Sequence, residues 1–130
     1  MSYYISKTLN GPFDAVVAEV TARLKEQGFG VLTDIDVQST LKAKTGIDMA
    51  RYRILGACNP RFAHEALQIE DKLGVLLPCN VIVRETEDRK VEVASIDPVV
   101  AMERTGNPEL RSTAEEVRRL LSKVVSQLGS

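Results

Sequence analysis

Two apolar stretches separated by a short polar one constrain this chain more than any other feature. Val75 to Arg84 is almost continuously apolar, broken only by Pro78-Cys79-Asn80, and Val91-Glu92-Val93-Ala94-Ser95-Ile96 follows after the polar turn Glu85-Thr86-Glu87-Asp88-Arg89-Lys90. A six-residue polar turn is too short for a parallel crossover, so the two runs form an antiparallel hairpin. Pro78 has no backbone donor, which places it at a strand start, an edge or a bulge.

The elements before the hairpin follow from local signals. Tyr3 to Leu9 is rich in aromatic and branched residues and ends at Asn10-Gly11-Pro12, a first strand. From Phe13, apolar residues recur at Val16, Val17, Val20 and Leu24, one face of a helix that Gly28 stops. Gly30 to Ile35 reads as a second strand. Asp36 caps a short helix through Val37 and Leu41 that ends at Gly46, with Lys42 and Lys44 near its C-terminal dipole end. From Met49 to Ala57 the residues alternate, Tyr52, Ile54 and Gly56 on one side and Arg51, Arg53 and Leu55 on the other, as in a third strand. Asn59 and Pro60 are favoured N-cap and first-turn residues for a helix with Phe62, Ala63, Ala66, Leu67 and Leu73 on its apolar face, stopped by Gly74.

After the hairpin, Asp97-Pro98 closes the strand and Val99 to Met102 makes a single helical turn. From Glu109, Ala114, Val117, Leu121, Val124 and Leu128 lie on one stripe of a long amphipathic helix. This order predicts an α+β fold in one domain spanning residues 1–130: a curved antiparallel sheet with helices packed on one face and a long C-terminal helix.

Composition narrows the partners. The 130 residues carry 17 basic and 18 acidic side chains, a net charge of -1, and neither half holds a block of one sign. That distribution lacks the basic footprint of a nucleic-acid or anionic-membrane binder. No apolar stretch approaches the ~20 residues of a membrane helix, and the first residues do not read as a secretory signal. A cytoplasmic protein is expected, in which the two cysteines are free thiols, ligands or redox groups rather than a structural disulfide.

The candidate site lies in two similar phrases, Ala57-Cys58-Asn59-Pro60 and Leu77-Pro78-Cys79-Asn80, which hold both cysteines. Cys58 sits at a helix start, where the dipole favours a thiolate; the alternative is a small buried hydrophobe at a strand end. If the strands of Cys58 and Cys79 are neighbours, the sulfurs can form a redox pair or, with the one histidine, His64, part of a site for a soft or borderline metal. No C-x-x-C or other ligand spacing supports the metal, and His64 also reads as a solvated helix position on a different face from Phe62 and Ala66. Asn59 is explained by capping, whereas Asn80 has no such structural reason. Arg51 and Arg53, sharing a strand face, could receive a phosphate or carboxylate, or could simply form salt bridges at the surface. No phosphate loop, catalytic triad or paired catalytic carboxylates can be named, so whether the protein is an enzyme stays open.

Gly56-Ala57-Cys58-Asn59-Pro60, Ala63, Ala66-Leu67, Gly74 and Leu76-Leu77-Pro78-Cys79-Asn80-Val81, together with Tyr52-Arg53-Ile54-Leu55 and Val83, closely resemble the core signature of the domain of unknown function 302 family. The resemblance covers most of the chain. It implies a fold similar to the TATA-binding-protein-like group and a homodimer, and it carries no established activity, substrate or cofactor. The expectation is a small cytoplasmic homodimeric binding or accessory domain, with a small ligand or metal near Cys58, Asn59, His64, Cys79 and Asn80. The alternative is a thiol-dependent redox enzyme using Cys58 and Cys79.

Overall fold

Strands β1 (Tyr4–Asn10), β2 (Gly30–Asp36), β3 (Tyr52–Cys58), β4 (Cys79–Glu85) and β5 (Lys90–Ile96) form one open sheet in the order β1-β5-β4-β3-β2. This is the arrangement in the computed structural model, which describes residues 2–129. Every pairing is antiparallel. The β4–β5 hairpin turns through Arg89, whose φ of 63 is left-handed, and Val83 pairs with Val93 in its middle. The expected α+β architecture is the one observed.

Alternation along the strands separates two faces. Leu55, Val81, Val83, Val91 and Val93 are buried on one of them. Against it pack α1 (Phe13–Glu26) and α5 (Arg111–Gln127), which contribute Val20, Leu24, Leu121 and Val124 to the same cluster. Each of these side chains is at most 1% exposed, and full burial of such a residue contributes roughly 1.5–3 kcal/mol. The other face carries Tyr4, Tyr52, Ile82 and Ala94 along a groove of about 380 Å³.

Three further helices complete the chain. Helix α2 (Val37–Thr45) starts where the Asp36 carboxylate accepts the Ser39 N–H at 3.0 Å, and it ends at Gly46, whose φ is 73. Helix α3 (Pro60–Ile69) begins directly at the end of β3. Helix α4 (Pro98–Glu103) is capped by Asp97, a residue only 3% exposed, whose Oδ1 accepts the Val99 N–H at 3.0 Å while Oδ2 accepts from Arg118 Nε at 2.8 Å. A buried carboxylate needs such partners, since leaving one bare costs several kcal/mol.

Several boundaries differ from the sequence expectation, among them the start of β3 at Tyr52 rather than Met49. Helix α3 stops at Ile69 rather than running to Gly74, because Glu70 turns extended at φ -138 and ψ 104 while its N–H still bonds the Ala66 carbonyl. A 3-10 turn over Leu73–Leu76 follows, and it buries Leu73 against Ala66, Val99 and Leu110. Strand β4 accordingly begins at Cys79, so Pro78 stands just before its first residue and the run from Val75 is not continuous strand. The last helix also starts two residues later than Glu109, after a 3-10 turn over Pro108–Leu110.

Candidate functional site: an apolar cavity beneath helix α3

The end of β3 and the start of β4 are held in register, with Ala57 opposite Cys79 and Gly56 opposite Asn80. Cys58 and Cys79, 21 positions apart in the chain, therefore lie one residue out of register on adjacent strands. Helix α3 crosses over this corner and leaves a cavity of about 350 Å³. Ala57 and Cys79 form its sheet side, and Phe62, Ala63, Ala66 and Leu67 its helix side. Phe29 and Leu32, from the β2 side, Met102, from α4, and Val117, from α5, add further walls.

Local sequence chemistry explains why the corner stays open in this form. The ladder between β2 and β3 slips between Val31 and Thr33, a bulge that leaves Leu32 67% exposed at the cavity. Gly56 is required beside it: a Cβ there would collide with the Thr33 hydroxyl and lie 2.7 Å from Pro78 Cγ. Asn59 occupies the N-cap position of α3 as expected, but its side chain makes no capping bond. Its Nδ2 donates instead to the Gln27 carbonyl at 3.3 Å, tying the start of α3 to the end of α1. Gly28 permits this approach, with φ 86 and room for a Cβ only at 3.1 Å from that same nitrogen.

The cavity is uncharged. None of its described lining residues carries a formal charge. Thr113, another lining residue, donates its hydroxyl to Glu65 Oε1 at 2.9 Å. Both cysteines are free thiols, Cys58 half-buried and Cys79 buried at 8% exposure. Burial, and secondarily the neighbouring Cys58, pushes the Cys79 thiol up to about 11, so it is protonated at neutral pH.

The sequence candidates divide accordingly. Cys58, Asn59 and Cys79 line one cavity. His64 is solvent-exposed on α3 and does not line it, because it falls off the helical face that carries Phe62 and Ala66. Asn80 alternates with Cys79 and so reaches the opposite face of the sheet, in the groove beside Tyr52, Ile82 and Arg84. The convergence of all five residues is thus corrected to three. Among the described residues no three His, Cys, Asp or Glu side chains cluster to hold a metal ion, and His64 is absent from the lining that holds both thiols.

Arg51 and Arg53 do share a strand face, and both are satisfied from within the protein. Arg51 stacks at 4.2 Å over the Phe13 ring and donates Nη2 to Asp14 Oδ1 at 2.7 Å. Arg53 forms a two-pronged pair with Asp34, Nε reaching Oδ1 at 2.8 Å. The Arg53 hydrogen bond holds the Asp34 carboxyl below its usual range, and Asp34 in turn raises Arg53. The Arg51 hydrogen bond similarly lowers Asp14. Reciprocal pairing of this kind leaves surface salt bridges where an anion site was considered.

Leu32, Thr113 and Val117 are wall residues that sequence reasoning missed. The bulge that exposes Leu32 has no local signal, and the other two read only as positions on the last helix.

An open antiparallel sheet covered by α1 and α5, with an apolar cavity under α3 lined in part by two free cysteines, defines a small α+β domain. The chain belongs to the family described as Domain of unknown function DUF302, whose model matches residues 5–128. Among solved structures, the crystal structure of an uncharacterized conserved protein DUF302 from Bacillus stearothermophilus is similar over 97% of this chain and 98% of that one. The two superpose with a TM-score of 0.90 at 23% identity, a likeness of fold. No curated protein matches the chain. Among the described residues no helix is long and apolar enough to cross a membrane.

Proposed function

We propose that this protein is a small cytoplasmic binding or accessory domain whose ligand occupies the cavity beneath α3. One observation carries the reading: about 350 Å³ of space with an apolar, uncharged lining stands open at the junction of β3, β4 and α3. Ligand pockets are concave, largely apolar and within this size range. Filling the cavity tests it. Ala63→Trp, on the half-buried helix wall, is expected to abolish uptake of a neutral solvatochromic dye while leaving the far-ultraviolet circular dichroism unchanged. Undiminished uptake by the folded variant would move the site elsewhere.

The reading includes a homodimer formed through the sheet face opposite the helices. It is supported by the side chains left there, among them Tyr4 at 45% exposure and Ile35 at 47%. A two-fold pairing buries one such patch against its copy. Ile82→Arg is expected to halve the mass measured by sedimentation. An unchanged mass would exclude this face. The balanced charge gives no support to nucleic acid or a membrane surface as partner.

A thiol redox enzyme is the second reading, favoured by the presence of both Cys58 and Cys79 in the lining of one cavity. The protonated state of Cys79 weighs against it, because exchange proceeds through a thiolate. This reading requires mild oxidation to link Cys58 to Cys79 within one chain, which peptide mapping detects.

A further inference from the structure

Every polar group that the cavity could offer a charged ligand is either spent or neutral. Asn59 Nδ2 is engaged with the Gln27 carbonyl, and Thr113 Oγ1 with Glu65. The remaining lining heteroatoms of note are the sulfurs, and Cys79 is held protonated by its burial. An ionised carboxylate, phosphate or ammonium entering this space would lose its hydration and meet no lining residue of opposite charge, a penalty of several kcal/mol. Sulfur and the surrounding Phe62, Ala66, Leu77 and Val117 side chains offer dispersion contacts instead.

The mouth continues the same chemistry. Leu32 and Leu67 line the cavity and remain 67% and 37% exposed. Exposed leucines at an entrance cost nothing to an apolar guest and give its outer end a surface to lie on. The space of about 350 Å³ corresponds to roughly ten groups of the size of water or methylene, at ~30 Å³ each.

We infer that the cavity takes an uncharged, mainly aliphatic molecule of about ten heavy atoms, entering between Leu32 and Leu67, with any hydroxyl or similar neutral head at the mouth. This rests on the cavity being the binding site proposed above and adds the class of ligand.

The test compares 1-decanol with decanoate at about pH 8, where the carboxylate is ionised. Amide chemical shifts of the full chain are followed by heteronuclear NMR. The alcohol is expected to shift Ala57, Ala63, Ala66 and Val117 saturably and to bind about ten-fold more tightly than the acid anion. Leu67→Lys, a change at an exposed position whose folding is checked by the amide spectrum, supplies the missing cation at the mouth and should reduce that preference about ten-fold. Equal affinities for the two ligands in the unaltered protein, or a preference that Leu67→Lys leaves untouched, would overturn the uncharged class while the site stands. If neither ligand shifts these amides, or if both shift only residues elsewhere, the cavity itself is not the site and both readings fall.

Discussion

Replacing Cys79 by alanine separates a buried structural thiol from a reactive one through the pH dependence of stability. In the folded protein burial raises this thiol from its ordinary 9.0 to about 11. The folded state therefore holds a proton that the unfolded chain releases first. A raised pKa stabilises fully below the unfolded value, and the stabilisation is lost as pH climbs through the interval from 9.0 to about 11. Each pH unit of separation is worth ~1.4 kcal/mol, so the loss approaches about 3 kcal/mol once both limits are passed, and is about 2 kcal/mol near pH 10.5. Urea unfolding under reductant, at about pH 8 and about pH 10.5, reads it as a difference between the two proteins. All other groups are common to the two proteins and cancel in the difference. Cys79→Ala is expected to be less stable than the unaltered chain at the lower pH, by on the order of 1 kcal/mol for the lost packing, and to catch up or overtake it at the higher. Parallel losses in the two proteins would mean that Cys79 already ionises near its ordinary value, and the packed, neutral cavity wall would be wrong.

Other positions give sharper local outcomes. Gly56→Ala is expected to destabilise by about 1–3 kcal/mol in denaturant titration, since its Cβ meets both Thr33 and the Pro78 ring. Shortening Thr33 as well should recover only part of this, because the rigid ring remains; full recovery would show that the ring yields. Asp97→Ala is expected to cost about 1–3 kcal/mol through the lost cap of α4 and the lost partner of Arg118. Asp97→Asn, which keeps an acceptor for Val99, should cost less, and equal costs would assign the effect to the ion pair alone. His64→Ala is expected to leave stability within about 0.5 kcal/mol and ligand uptake unchanged; a loss of uptake measured by calorimetry would return His64 to the site.

The hairpin and the alternation through Arg51, Arg53 and Leu55 were legible because period-two patterning directly encodes which face a residue takes. The Asp36 and Gly46 helix limits were legible for the same local reason, a side-chain acceptor at one end and a left-handed glycine at the other. The end of α3 was not. Leu73 continues the helical spacing of Phe62 and Ala66, yet it is placed by a separate 3-10 turn whose cause is tertiary, the contact with Val99 and Leu110. That misplaced boundary hid the start of β4, and with it the fact that Cys79 and Asn80 must face opposite ways. Asn80, which had no structural reason in the sequence, stands in the second groove and not beside the thiols. Cys79, by contrast, is a regular inward position of β4. The cavity was invisible because its walls come from six strands and helices and a 3-10 turn, and only the Cys58-Asn59 and Cys79 phrases mark it locally.

Cys58 offers the most direct measurement of the central claim, that an apolar guest fills the space beneath α3. Its thiol lies half-buried on the cavity wall, so a guest and a small neutral alkylating reagent such as N-ethylmaleimide compete for the same volume. In Cys79→Ala protein, the rate of Cys58 alkylation is followed by mass spectrometry with increasing 1-decanol. The account predicts saturable protection, with the rate falling by the factor 1 + [L]/Kd at the Kd obtained from the amide shifts. A rate independent of 1-decanol at concentrations that saturate those shifts would contradict it.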